Sequence, residues 1–161
     1  MDKKIKLLLV DDEQMIRENL AALLSRSGFE VVTAADGEEA LERVEQITPD
    51  LIVMDVLMPR LDGRSAVRTL REQSNWTPVI LLTQIGDSYE RASALEEGAD
   101  DYLNKPFDAH ELIARIKTVL RRAHAEQPPL SAAQRLGCGV LIFDRVSRRV
   151  LLSDKEVNLT P

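Results

Sequence analysis

Four consecutive apolar residues, Leu51-Ile-Val-Met54, run into Asp55 and are introduced by Pro49-Asp50. A short unbroken apolar run bounded by turn residues reads as a strand covered on both faces, and such strands belong to parallel α/β sheets. The Asp55 carboxylate then stands at the carboxyl end of its strand, the edge at which open parallel sheets bind ligands. An Asp after a strand also often just begins a turn. Asp55 therefore gains meaning only if other strands end in matching chemistry.

The rest of the chain supplies such strands. Ile5–Val10 reads as a first strand stopped by Asp11-Asp12-Glu13, and Ile16, Leu20, Leu23 and Leu24 then share one helical face until Gly28. Glu30–Ala34 is a short strand. Asp36, with Glu39 three residues on, caps a helix whose stripe is Ala40, Leu41, Val44 and Ile47. After the central strand, Asp62-Gly63 opens a helix with Val67 and Leu70 inward. Pro78–Thr83 is another apolar strand. A fourth helix is expected over Asp87–Glu97, ended by Gly98; with Ala92, Ala94 and Leu95 as its main packing residues, it is held by few large side chains and is a candidate mobile element. Asp101–Leu103 is a short fifth strand followed by Lys105-Pro106, and Asp108 with Glu111 caps a last helix striped by Leu112, Ile116, Val119 and Leu120. Five strand–helix units ending near Arg122 predict a doubly wound parallel sheet with helices on both faces.

Residues 123–138, with Pro128-Pro129 and no long apolar period, read as a linker. Beyond them, Val140–Phe143, Arg149–Leu152 and Val157–Leu159 are short runs separated by tight turns, hence antiparallel strands. The final Thr160-Pro161 has the form of a helix start. The expectation is that residues 139–161 are the beginning of a second domain cut short.

Composition narrows the function classes. A formal net charge of −6 over 161 residues argues against the chain as a whole being a nucleic-acid module. The single cysteine, Cys138, permits no intrachain disulfide and suits a reducing compartment. The apolar run at Ile5–Val10 is too short for a signal peptide or membrane span, so a cytoplasmic protein without a membrane partner is expected.

If the first and third strands are neighbours, Asp11, Asp12 and Asp55 converge in one cleft. Three carboxylates that close repel unless a cation sits among them, and oxygen ligands suit a hard ion such as Mg²⁺. Lys105 brings an ammonium and Thr83 a hydroxyl to the same edge. That set makes Asp55 a plausible phosphoryl acceptor, with the ion and Lys105 neutralising the transferring oxygens. The plainer alternative makes the three acids helix caps and Lys105 an ordinary salt-bridge partner, which explains each residue but not their common edge.

Val10-Asp-Asp-Glu13, Asp55 within Ile-Val-Met-Asp-Val-Leu-Met-Pro59, Asp62-Gly63, Leu82-Thr83 and Gly98-Ala-Asp-Asp-Tyr-Leu-Asn-Lys-Pro-Phe107 together resemble the receiver domains of two-component response regulators, over about residues 4–122. Gly98–Tyr102 and Arg121-Arg122 look like the winged-helix (OmpR/PhoB-like) transcriptional regulators, and 139–161 resembles the small sheet that precedes the helices of their DNA-binding domain. The resemblance implies a flavodoxin-like sheet of order 2-1-3-4-5 with five helices, a receiver domain over 1–122, and DNA binding by a full-length parent only. It implies phosphorylation of Asp55 by a sensor histidine kinase, and one Mg²⁺ held by Asp12, Asp55 and the Leu57 carbonyl, with Asp11 acting through water. Thr83 and Tyr102 would be the switch pair.

The resemblance further implies a homodimer on phosphorylation through the helix at 87–97, the fifth strand and the last helix. Arg91, Asp101, Glu111 and Arg115 match its ion pairs, and Leu95 and Ile113 its apolar centre. Leu57 and Ile85 flank the acceptor where some family members carry groups that orient water, so slow self-dephosphorylation is expected. Trp76, between the third helix and fourth strand, would respond only indirectly. Two other readings compete: a Mg²⁺-dependent phosphatase with Asp55 as nucleophile, and an interaction module that is never phosphorylated. Leu57 stands where such a phosphatase needs a general acid.

Overall fold

A computed structural model describes residues 3–84 and 98–125 fully, and the backbone of strand segments 135–138, 141–144, 149–152 and 155–157. The helix expected over 87–97, with Arg91 and Leu95, lies outside the described residues, as does Ile85. Two compact units, 1–122 and 123–161, are described separately below.

In the first unit, β1 (Lys6–Val10), β2 (Glu30–Ala34), β3 (Leu51–Asp55), β4 (Val79–Gln84) and β5 (Asp101–Lys105) form one sheet of order β2-β1-β3-β4-β5. Every pairing is parallel. Helices α1 (Gln14–Arg26), α2 (Gly37–Ile47), α3 (Gly63–Glu72) and α4 (Ala109–Ala125) cover it.

Because successive side chains on a strand point to opposite faces, each run of β1, β3 and β4 feeds two cores. Leu8, Val10, Ile52, Met54 and Leu81 pack with Ala40, Val44, Ala66, Val67 and Leu70 of α2 and α3. Leu7, Leu9, Leu51, Val53, Ile80 and Leu82 pack with Leu24 of α1 and Leu112, Ile116 and Val119 of α4. The unbroken apolar runs are thus the residues that have no solvent side.

Capping follows the sequence at two places. Asp36 Oδ1 accepts from the Glu39 N–H at 3.0 Å while Glu39 Oε2 accepts from Ala35 N–H at 2.8 Å, and Asp62 Oδ1 accepts from Ser65 N–H at 2.8 Å. The third expected cap, Asp108, also forms, but without a glutamate side chain returning to it. Asp108 Oδ1 takes the His110 N–H at 2.7 Å, and Glu111 turns forward to Arg115 at 3.1 Å instead of back to the chain. An N-cap carboxylate reaches the second or third helical N–H equally well, and a guanidinium one turn on is the stronger partner for a glutamate.

Several boundaries also move, among them the last tail strand, whose described residues are Lys155–Val157 where Val157–Leu159 was expected. β5 extends to Lys105, so the lysine is the last residue of the strand and not part of the loop after it. The last helix continues to Ala125, beyond Arg122. A strand, β6 (Arg135–Cys138), lies inside the expected linker and pairs antiparallel with β7 (Leu141–Asp144), which pairs with β8 (Arg149–Leu152), and β8 with β9 (Lys155–Val157). Leu136 stands opposite Phe143 in that ladder; a four-residue strand with a single large apolar residue leaves little alternation in sequence to announce it.

Candidate functional site: an acidic pocket at the carboxyl edge of the sheet

The site begins at the β1–α1 turn. Asp11 is 0% exposed. Its Oδ1 accepts from the Glu13 N–H at 2.9 Å and its Oδ2 from Lys105 Nζ at 3.0 Å. Arg17 reaches back from the first turn of α1 to the carbonyls of Asp11 and Asp12, at 2.6 and 3.1 Å. That grip fixes the turn while the Asp12 side chain stays exposed.

Asp55 ends the neighbouring β3 and is buried. Its Oδ2 accepts from Lys105 Nζ at 2.9 Å and its Oδ1 from Leu57 N–H at 3.3 Å. Helix α3 starts directly against it: Gly63 N–H donates to Val56 O at 2.9 Å, and a Cβ on Gly63 would strike the Asp55 carbonyl oxygen. Glycine is thus required for close approach, which explains Asp62-Gly63 in mechanical terms.

Burial pushes the Asp55 carboxyl above its ordinary pKa and the Asp11 charge adds to this, outweighing the Lys105 ammonium and the Leu57 N–H. Burial also opposes the charge on Lys105, but its hydrogen bonds and charge contacts with Asp55 and Asp11 win and raise its pKa. The lysine thus keeps its proton between the two carboxylates it bridges, and one ammonium does not fully offset the burial of Asp55.

Thr83, on β4, is 3% exposed and is the register partner of Asn104 on β5. Its hydroxyl donates to Asn104 Oδ1 at 2.8 Å. Tyr102, two residues earlier on the same face of β5, is half-buried against the α2–α3 core. Lys105 follows Asn104 and precedes a cis bond to Pro106.

One ligand oxygen from each of Asp11, Asp12 and Asp55 lies within 4.8 Å of the others. The donor set fits a hard divalent cation: all oxygen, two buried carboxylates, one exposed, and a single ammonium against three negative charges. Leu57, whose carbonyl the family resemblance implies as a ligand, directs its side chain outward at 58% exposure.

The described part of the expected dimer face is already paired within the chain. Arg115 Nη1 donates to Asp101 Oδ2 at 3.1 Å and Nη2 to Glu111 Oε1 at 3.1 Å. Burial acts against the Arg115 charge, yet both carboxylates together raise its pKa. Ile113 is half-buried and leans on its own core.

Sequence reasoning missed three features of this edge. Asn104, to which the sequence assigns no role of its own, accepts from the Thr83 hydroxyl. Arg60, in the left-handed region at φ 66°, pairs with the buried Asp36, and Gly37 N–H donates to Leu61 O at 3.1 Å, so α2 holds the loop that follows the acceptor. Burial would raise the Asp36 pKa, but the Glu39 N–H and the Arg60 guanidinium bring it below the ordinary carboxylate value. A groove of about 640 Å³ also opens beside Lys105, lined by Ile16, Leu20, Pro106 and Phe107 with Asn19 and Gln84. Only Arg60 left a faint trace, as a basic residue between Pro59 and Leu61 in a turn.

Known proteins share this architecture. Residues 7–117 match the family described as "Response regulator receiver domain". The chain is 47% identical over 161 residues to "Probable transcriptional regulator ycf27" of Cyanophora paradoxa, covering 98% of this chain and 66% of that protein. It is 47% identical over 128 residues to the alkaline phosphatase synthesis transcriptional regulatory protein PhoP of Bacillus subtilis, covering 80% of this chain and 52% of the relative. The chain thus spans about half to two-thirds of the length of these curated relatives. A solved response regulator receiver domain from Francisella superposes with a TM-score of 0.71 at 37% identity, covering 74% of this chain and 99% of that one. With the parallel sheet, its order and the acidic edge already described, these likenesses place the chain in the receiver-domain family of two-component response regulators.

Proposed function

We propose that Asp55 accepts a phosphoryl group from a sensor histidine kinase or a small phosphodonor, and that the resulting acyl phosphate switches the chain between two states. The observation that carries this reading is Lys105 Nζ lying 2.9 Å from Asp55 Oδ2 and 3.0 Å from Asp11 Oδ2, inside a three-carboxylate cluster.

An Asp55 carboxylate oxygen attacks phosphorus; with a phosphohistidine donor the phosphorus–nitrogen bond breaks and the leaving imidazole takes a proton from solvent, and with an acyl phosphate donor the phosphorus–oxygen bond breaks and the carboxylate leaves. Mg²⁺ held by Asp12, Asp55 and the Leu57 carbonyl, with Asp11 behind a water, would neutralise charge on the transferring oxygens. Lys105 follows the new negative charge, and the Thr83 hydroxyl donates to a phosphoryl oxygen. Tyr102 turns inward as that hydroxyl moves, which makes the pair a two-state element. The apolar groove beside Lys105 gives a protein donor a surface to rest on.

The phosphorylated chain dimerises through the face of 87–97, β5 and α4, with Arg91, Leu95, Asp101, Glu111, Ile113 and Arg115 contributing. Arg115, paired at rest with Asp101 and Glu111, shares those bonds with a second copy, which sets register more than affinity. The parent protein acts in the cytoplasm and controls transcription by binding DNA, residues 139–161 being the first strands of its winged-helix domain. No helix among the described residues is long and apolar enough to cross a membrane.

Incubation with acetyl phosphate and Mg²⁺ tests the reading. A hydroxylamine-sensitive mass increase of one phosphoryl group is expected, absent after chelation and absent in Asp55→Asn; label on any other residue sinks it. The Leu57 side chain cannot orient a hydrolytic water, so the label should outlast a chase of many seconds. Steady turnover of a generic phosphate ester would favour the phosphatase reading instead, and a wild type that never takes label would favour the interaction module.

A further inference from the structure

The Thr83 hydroxyl has one proton and at rest gives it to Asn104 Oδ1, at 2.8 Å. The Asp55 carboxylate takes its hydrogen bonds from Lys105 and Leu57 instead. We propose that Asn104 is a latch: its amide carbonyl holds the Thr83 hydroxyl in the resting state and must release it before that hydroxyl can serve a phosphoryl group on Asp55. Asn104 is thus a positioning residue that sets how readily the switch closes, an inference that rests on the phosphoacceptor reading above.

The physical basis is competition for a single donor. A hydroxyl serves one acceptor at a time, and Thr83, at 3% exposure, has little water to turn to. The β4–β5 register places Asn104 directly beside Thr83, so this acceptor is held by the sheet ladder. Asn104 is half-buried, so its carbonyl regains water when released and the latch can open. A residue without an acceptor at position 104 leaves the hydroxyl unsatisfied at rest, and a phosphoryl oxygen then becomes its best partner. The resting state loses stability and the liganded state does not, so the equilibrium moves toward closure.

The test is titration calorimetry of this chain with beryllofluoride, a phosphoryl mimic, at saturating Mg²⁺, for wild type, Asn104→Ala, Asn104→Val and Asp55→Asn. Valine suits a strand and keeps bulk, which guards against misfolding of the alanine variant. Both position-104 variants are expected to bind the mimic about two- to tenfold more tightly, the range of one exchanged hydrogen bond. In a Thr83→Val background the same changes are expected to have no effect, because there is no hydroxyl to release. Unchanged or weaker affinity in both variants overturns the latch, as does a gain that persists without the Thr83 hydroxyl. A wild type that fails to bind the mimic, or an Asp55→Asn chain that binds it equally well, removes the phosphoacceptor reading and the latch together.

Discussion

The two ends of the parallel sheet each bury a basic side chain among oxygens, yet they do opposite things with it. At the carboxyl edge, one Lys105 ammonium faces Asp11 and Asp55 with Asp12 alongside, and negative charge remains in excess. At the amino edge, Arg71 of α3 donates to the carbonyls of Gly98, Asn75 and Thr77 at 3.0, 2.7 and 3.0 Å and to Asp100 Oδ2 at 3.1 Å. Its guanidinium also lies 5.5 Å from the centre of the Trp76 ring, itself 73% exposed. Asp100 in turn accepts from the Val79 N–H at 2.8 Å, tying the starts of β4 and β5. Burial lowers the Arg71 pKa despite Asp100, but an arginine stays charged. One edge is satisfied and forms a clasp; the other keeps negative charge in excess, at the place proposed for phosphoryl transfer.

Substitution separates the two edges most sharply. Asp55→Asn should abolish acyl-phosphate formation, whereas Arg71→Ala should leave the yield of label intact, both read by intact mass after acetyl phosphate treatment. Stability should behave in reverse: Arg71→Ala should cost about 3 kcal/mol in urea denaturation, since it strips three carbonyls and a carboxylate of one shared donor. If Arg71→Ala costs under about 1 kcal/mol, the clasp is only a surface contact.

Divalent ions sharpen the contrast. Mg²⁺ at roughly 100 times its Kd should raise wild-type stability by about 2.7 kcal/mol, an increment that Arg71→Ala keeps and Asp55→Asn largely loses. A smaller effect belongs to the loop clamp. Asp36→Ala should cost about 1–2 kcal/mol at neutral pH through its lost cap, measured by thermal melting.

The pH dependences of Asp36 and Asp55 run in opposite directions. The Asp36 pKa is lowered by folding, so its contribution is present above the unfolded carboxylate value and lost as pH falls through the folded one. The Asp55 pKa is raised, so its contribution is present below the unfolded value and lost as pH rises through the folded one. With a chelator present, Asp55→Asn should therefore flatten the fall of stability above the carboxylate range. An unchanged slope would show that Lys105 compensates Asp55 fully.

Much of the site was legible because its residues end the apolar runs. A strand buried on both faces has a sharp sequence boundary, so Asp11, Asp55 and Thr83 are marked by where Val10, Met54 and Leu82 stop. The grip of Arg71 had no such marker, since an arginine in the last turn of a helix looks like a surface residue favoured by the helix dipole. Its role depends on α3 delivering it beneath Gly98, where φ is 100° and a Cβ would press on the arginine stem.

Periodicity and boundary residues by themselves determined the parallel sheet, its helical cover and the acids along one edge, because hydrophobic burial is imposed residue by residue along the chain. Strand register and helix placement, which only the tertiary structure decided, set the partners. Thr83 faces Asn104 because β4 and β5 align at that step, Lys105 reaches both Asp11 and Asp55 because β5 runs on to its position, and Asp36 meets Arg60 across two loops. Hydrogen bonds and charge contacts act over a few ångströms, so their energies depend on which residues the fold brings together, and that is written in no single segment of the sequence.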